Sequence, residues 1–489
     1  MLRHFSLRAL GHLLILFLFV LRPLLPCAAP VESQHDVVIV GASLAGLTAA
    51  SYLDGMDVVI LERENKAGGK VNRGVYSFFN SQNRMDFPEI PAGVALDLVS
   101  RLGLTPSNLA DPVHGYRDEN TTHLGNEGLK AVLTSHSSPA AFDAFLAAVQ
   151  NAYLDYVELP VFSRTSPLVA LDSQTAREWF ASQAVASGIQ AYYEGVIRGL
   201  TGGASLDEIS ALALLRVLGR QLAAFDTSPL PAESGCFTLP GGIEDLSAAL
   251  TEHAGRRLRL NSTVNTVTRD GSRFLTEYTD AEGLTHTLAS PVVILAVPAK
   301  LNTYLAPALL TADQMATFAS IAYTSFAEVE LKTTIPTMAD CAKQFMPSGH
   351  FFTHLINLYR FKSHPLLGEP YDTLTVIPPS SILDTTLNTL TDAELSESVI
   401  QAMEQDSPQL RNFLASAEVR RVGNALPVFR PGIYIDMASA LNQGPSGLLF
   451  ANDYLTHPTL EGALDAGYLA ARQAKALVPS AAPHHTRLQ

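Results

Sequence analysis

Three small residues at fixed spacing set up the first chemistry in this chain: Gly41, Ser43 and Gly46 of VVIVGASLAGLTAA, residues 37–50. Small residues between a strand and a helix let the backbone approach a phosphate. The N–H groups around Ser43, Leu44 and Ala45 then point at the anion, and the helix dipole favours its charge. Glu62 follows at about 20 residues, the distance at which an acid accepts hydrogen bonds from ribose hydroxyls. The usual middle glycine is Ser43 here. A serine adds only a hydroxymethyl group, whose hydroxyl can donate to a phosphate oxygen, so the variant is expected to be tolerated.

The elements that must position these residues are legible around them. Val37 to Val40 are four apolar residues in a row, which suits a strand buried on both faces of a parallel sheet. LAGLTAASYL reads as a helix with Leu44, Leu47, Ala50 and Leu53 on one face. VVIL, residues 58–61, reads as a second strand ending at Glu62. Strand, turn, helix, strand and acid in this order are the context a dinucleotide motif requires. Two further stretches bear on the ligand. RENKAGGKVNRG follows Glu62 directly and carries Arg63, Gly68, Gly69 and Lys70. GLLFANDYLTHPTLEGALDAGYLAAR, residues 447–472, reads as a short buried strand, an acid at its tip (Asp453) and a helix rich in small residues. Such an acid can take ribityl hydroxyls, and the helix amides can face charge that builds on a reduced flavin ring.

With these elements the chain resembles the flavin-containing amine oxidase and phytoene desaturase superfamily of FAD-dependent oxidoreductases. The family's Arg-x-Gly-Gly-Arg element stands here as Lys66-Ala67-Gly68-Gly69-Lys70. Its C-terminal element stands as Asn452-Asp453, Glu461-Gly462-Ala463, Ala466-Gly467 and Ala470-Ala471. LPGGIEDLSAAL, the strand pair around STVNTVTRD, PVVILAVPAKL and ALPVFRPG match the family's intervening segments in type and order. The resemblance implies FAD. Gly41, Ser43, Leu44, Ala45 and Gly46 would line the pyrophosphate, and Glu62 would hold the adenosine ribose with Arg63 beside it. Val264 would offer its backbone to the adenine. Gly69 and Lys70 would lie near the phosphates, Asp453 would face the ribityl chain, and Leu460 would present its amide to the flavin. The implied fold is α/β: a Rossmann-like FAD-binding domain (35–90, 235–300 and 425–478) interleaved with an α+β substrate domain (90–235 and 300–425).

The departures are specific. Both family arginines are lysines, which keep the charge but lose the planar fork. Arg73 replaces the family Ser/Thr, and Asn452 replaces the glycine before the acid. No catalytic residue is fixed by the sequence. Glu328 and Lys332 lie on the strand AEVELKT, where related amine oxidases often place a lysine beside the flavin. Tyr434, Tyr454 and His457 lie near the cofactor elements. The aromatic pair that encloses an amine is not recognisable, and Trp179, the only tryptophan, is remote from them. Three readings follow: an FAD-dependent oxidase or dehydrogenase of a small or medium organic molecule, such as an amine or specialised metabolite; a desaturase or isomerase of a polyene, lipid or isoprenoid; and a non-catalytic protein retaining the fold. No second glycine-rich turn suggests a nicotinamide. Electrons therefore pass to oxygen or another acceptor, or return to the substrate.

The remaining sequence bounds these readings. Of the 489 residues 47% are hydrophobic and 16% charged, a globular composition, and the net charge of −14 offers no basic footprint for nucleic acid. Long helices are expected at AGVALDLVSRLGL, AAFDAFLAAVQNAYLDYV and SLDEISALALLRVLGRQLAAF, with Asp207 and Glu208 near the start of the last. Residues 1–29 have the layout of a secretory signal peptide: Arg3 and Arg8, the apolar run Leu13 to Leu21, then small residues. The expected location is the secretory route or outside the cell, with no membrane span after signal removal. The sequons at Asn120 and Asn261 fit that address. Cys236 and Cys341 could pair there, no metal site is inferred, and 479–489 reads as a disordered tail with two solvated histidines, His484 and His485.

Overall fold

The computed structural model describes residues 31–73, 79–80, 94–108, 114–118, 121–157, 168–222, 236–334, 343–346, 351–352, 354–357, 372–377, 389–405, 407–441 and 443–478. The signal-like segment, Asn120, Cys341, His484, His485 and the tail lie outside these residues.

The β-branched runs form the centre of a five-stranded parallel sheet. Its order is Leu448–Phe450, Val292–Leu295, Val37–Val40, Val58–Leu61 and Leu258–Arg259. Strands 37–40, 58–61 and 292–295 are buried at every position, as continuous apolar runs in a sheet covered on both faces should be. A four-stranded sheet (Val31–Gln34, Thr285–Ser290, Arg273–Thr279, Thr263–Asp270) adjoins it. Strand Val31–Gln34 has no apolar alternation and is set by its parallel pairing with Thr285–Ser290.

A separate seven-stranded sheet, almost wholly antiparallel, is drawn from Leu414–Val422, Phe326–Thr333, Asp372–Ile377, His354–Asn357, Lys343–Phe345, His114–Asp118 and Thr121–Leu124. It is accompanied by the helices Pro139–Val157, Ser187–Thr201 and Ala211–Leu222. The fold is thus α/β: a Rossmann-like unit with a helical and β-sheet unit beside it.

Two expectations are corrected. The helix Leu44–Tyr52 is buried on all sides rather than along one face, because the C-terminal helix Leu460–Leu477 covers the side away from the sheet. The helix around ALALLRVLGRQL begins at Ala211, not near Asp207. The reason is tertiary. Ser210 forms an antiparallel bridge with Thr175, donates its N–H to Phe429 O (2.7 Å), and with its hydroxyl caps Ala213 N (3.2 Å). Residues 205–209 instead close a turn in which the Glu208 carboxylate accepts from Ser205 N and Oγ (both 2.8 Å).

A buried carboxylate ties the helical unit to the C-terminal segment. Asp172, 1% exposed, accepts the N–H groups of Tyr434 (3.1 Å) and Ile435 (3.2 Å) in the first turn of Ile433–Leu441. Burial pushes its pKa up to about 6 from 3.8, against those two hydrogen bonds, which lower it. Because the folded value exceeds the unfolded one, the folded state holds the extra proton between about pH 4 and 6. The associated stability is complete below about pH 4 and is lost as pH rises through about 6. Asp172→Asn keeps an acceptor oxygen for both N–H groups. Across that window wild type should lose on the order of 2–3 kcal/mol more than the variant, which lacks this titration. Thermal melts of both proteins from pH 4 to 7.5 measure this.

Candidate cofactor and active site

Parallel register brings the expected residues to one edge. Val40 pairs with Leu61 and with Leu295, and Leu295 with Phe450. The next residue after each strand therefore lies on the same rim: Gly41, Glu62, Ala296 and Ala451, with Asn452 and Asp453 directly following. Ligands of open α/β sheets bind outside this carboxyl edge.

Gly41 is needed by its conformation and its surroundings. It has φ +100°, and a Cβ there would stand 2.7 Å from the Ala296 carbonyl oxygen. Ser43 shows why the middle glycine can be lost. Its φ of −66° and ψ of 170° are ordinary extended values, open to any residue. Its hydroxyl does not wait for a phosphate, as the sequence reading allowed. It donates to Ala296 O (3.0 Å) and accepts from Gly46 N (3.4 Å), capping the helix. Ser43→Ala should therefore cost about 1 kcal/mol of stability, read from denaturant midpoints, while Ser43→Gly should cost only a few tenths.

The Gly68-Gly69 turn packs directly on this loop. Gly68 N donates to Ala42 O (2.8 Å), Ser43 and Gly68 form a parallel bridge, and a Cβ on Gly69 would lie 3.3 Å from Ser43 Cα. Glu62, 8% exposed, braces the loop from the other side. Its carboxylate accepts Ala42 N (2.7 Å) and Glu64 N (3.0 Å). Its backbone carbonyl accepts Ser262 N (2.7 Å), which draws in the segment leading to Val264. Val264 is half-buried and pairs with Tyr278, next to a register shift between 264 and 266. Arg63 is not gathered in. Its side chain is 56% exposed and pairs with Glu64 (3.0 Å).

Charge at the rim centres on Lys70 and Asp453. The fully buried Asp453 carboxylate meets Lys70 Nζ at 2.5 Å, the conserved sign of the family arginine at a point contact rather than a fork. Asn452 accepts Asp453 N with its side chain (2.9 Å) and so caps the turn Asp453–Leu455. That gives the residue replacing glycine a job. The sequence did not suggest Tyr323. Its ring lies 5.4 Å from Lys70 Nζ and its hydroxyl accepts Ala299 N (2.9 Å). Burial, and then the Asp453 charge, push its phenol well above the ordinary value, so it stays neutral.

The residues of uncertain role divide into two groups. Tyr454 and His457 are buried at the rim turn, and Tyr454 Oη accepts Asn302 Nδ2 (2.8 Å). Tyr434 packs on Phe429, with ring centroids 5.1 Å apart. Glu328 is held instead by Arg420, and Lys332 by Glu330 (3.0 Å). Lys332 is a partly exposed strand charge, whereas Glu328 is buried, and burial pushes its carboxyl above the usual range against the Arg420 charge. Trp179 packs on Phe180 in the helical core.

The donor set suits FAD. Leu44 and Ala45 are buried at the start of one helix and Leu460 at the start of another. Among the described residues none accepts their amide hydrogens. Buried amides ask for an acceptor, and anionic oxygens at helix N-termini supply it. Two such starts on one sheet rim, with an acid and a base between them, fit a long cofactor with a pyrophosphate in its middle.

Comparison with known proteins agrees with this geometry. A model of the flavin containing amine oxidoreductases matches residues 44–475. No curated protein matches the chain. Among solved structures, wild-type putrescine oxidase bound to putrescine superposes with a TM-score of 0.67 at 17% identity, over 91% of this chain and 99% of that one. Cyclohexylamine oxidase from Brevibacterium oxydans gives 0.66 at 17%, over the same shares. At these identities the likeness is one of fold.

Proposed function

The chain belongs to the flavin containing amine oxidoreductase family, and from that premise we propose that it is an FAD-dependent oxidase or dehydrogenase of a small or medium organic molecule. An amine or a specialised metabolite is the substrate class. The carrying observation is the convergence of four strand ends and two helix starts on one rim, with Lys70 and Asp453 between them. When bound, FAD supplies acceptance of a hydride from a substrate carbon. The protein's own share is to hold and desolvate. Leu44 and Ala45 amides would take the pyrophosphate, Glu62 the ribose, and Asp453 the ribityl hydroxyls. Lys70 would balance phosphate charge, and the Leu460 amide would offer a donor to the flavin. Oxygen or another acceptor would take the electrons onward.

A second reading, a desaturase or isomerase of a polyene, lipid or isoprenoid, is favoured by one observation: Glu328 and Lys332 are both committed to ion pairs. Anaerobic titration of the purified protein with a substrate panel separates the readings. Bleaching by amines, with peroxide formed on readmitting air, supports the first. Turnover of an apolar alkene without oxygen uptake supports the second. A yellow protein that answers to neither class contradicts both.

We also place the mature chain in the secretory route, on the layout of residues 1–29. Among the described residues no helix is long and apolar enough to cross a membrane. Sequencing the N-terminus of secreted protein tests this, and an intact Met1 would count against it.

A further inference from the structure

We propose that Arg216 is a positioning residue that locks the turn before the C-terminal helix, and so sets how the first amides of that helix meet the flavin. The inference rests on the FAD reading. Arg216 lies on the helix Ala211–Leu222, far from the rim in sequence, and is 9% exposed. One terminal nitrogen of its guanidinium donates both to Tyr434 Oη (2.8 Å) and to Thr456 O (3.1 Å). The Tyr434 ring lies 6.0 Å from the guanidinium carbon and rests on Phe429.

Thr456 is the joint of the turn. Its N–H donates to Asp453 O (3.4 Å) and its hydroxyl to Gly462 O (2.7 Å), in the first turn of Leu460–Leu477. His457 O accepts Thr459 N (2.8 Å), and Thr459 Oγ1 accepts Gly462 N (3.1 Å). Gly462 packs against the turn so closely that a Cβ there would stand 2.1 Å from His457 O. A displacement of the Thr456 carbonyl is therefore passed both to Asp453 and to the Leu460 amide. A helix of the neighbouring unit thereby fixes the electrostatic environment of the cofactor. A lysine at this position keeps a charge but ends one bond short of that nitrogen, so it cannot reach both acceptors in the same way.

Full-length Arg216→Lys, Tyr434→Phe and the double variant, each reconstituted with FAD, test the inference. Readouts are the FAD dissociation constant, the melting temperature, and the affinity of the bound flavin for sulfite, read as bleaching of its visible band. Sulfite adds at the ring position that accepts hydride and leaves negative charge where the helix amides face, so its affinity reports their alignment independently of any substrate. Arg216→Lys should stay yellow and bind sulfite about tenfold more weakly. Tyr434→Phe should weaken sulfite about threefold, and the double variant should be no worse than Arg216→Lys, because the two residues share one contact. Sulfite affinity within twofold of wild type in yellow Arg216→Lys overturns the inference, even if the melting temperature falls. Should Arg216→Lys fail to fold, Tyr434→Phe decides by the same criterion. A wild-type protein that cannot bind FAD at all overturns the FAD reading and this inference with it, and is recognised by its lack of colour.

Discussion

Gly467→Val should abolish FAD binding and destabilise the protein by about 3 kcal/mol or more. Gly467 faces the dinucleotide helix so closely that even a Cβ would stand 2.3 Å from Ala45 O and 2.8 Å from Thr48 Cβ. The obstructing oxygen belongs to the backbone of a helix buried on all sides, so it cannot swing away as a flexible side chain would. The helices must separate, and the helix that moves carries the Leu44 and Ala45 amides. Gly467→Ala should show the same direction at smaller size. Denaturant melts of the apoprotein measure the first effect and flavin content of the purified protein the second. A variant that melts like wild type and is fully yellow would refute this packing.

Asp453→Ala should give a protein that folds but binds FAD at least 100-fold more weakly, a loss of about 3 kcal/mol. Asp453 is fully buried, stands at a strand tip and meets Lys70. Removing it deprives the ligand of a charged acceptor and deprives Lys70, 15% exposed, of its carboxylate. Breaking a buried pair from one side usually costs more than the pair contributes. Asp453→Asn keeps the shape and one acceptor, so its affinity should fall between wild type and alanine. Fluorescence titration of apoprotein with FAD gives all three constants. Equal constants for the three proteins would remove Asp453 from the site.

The sheet and its rim were legible in the sequence because the physics there is local. A strand buried on both faces must be apolar at every position, so Val37–Val40, Val58–Leu61 and Val292–Leu295 stand out. A residue directly after such a strand must lie on the rim, which places Glu62. What was not legible depends on distant partners. Ser43 reads as a phosphate ligand until the carbonyl of Ala296, 253 residues away, accepts its hydrogen bond. Arg216 meets its acceptors across 218 and 240 residues. Tyr323 sits in the short link between the helix Ala312–Ser320 and the strand Phe326–Thr333, with no periodicity to mark it. The start of the helix at Ala211 is hidden from the sequence because pairing of Ser210 with Thr175 and Phe429 overrides local helix signals.

The central claim is that three distant stretches of chain clasp one FAD. The most direct measurement is the absorption spectrum of the purified full-length protein, followed by heat or acid release and identification of any chromophore. The expected result is an oxidised-flavin spectrum with released FAD equimolar to protein, recovered after stripping and reconstitution. Colourless protein that stays colourless when incubated with excess FAD would contradict the account.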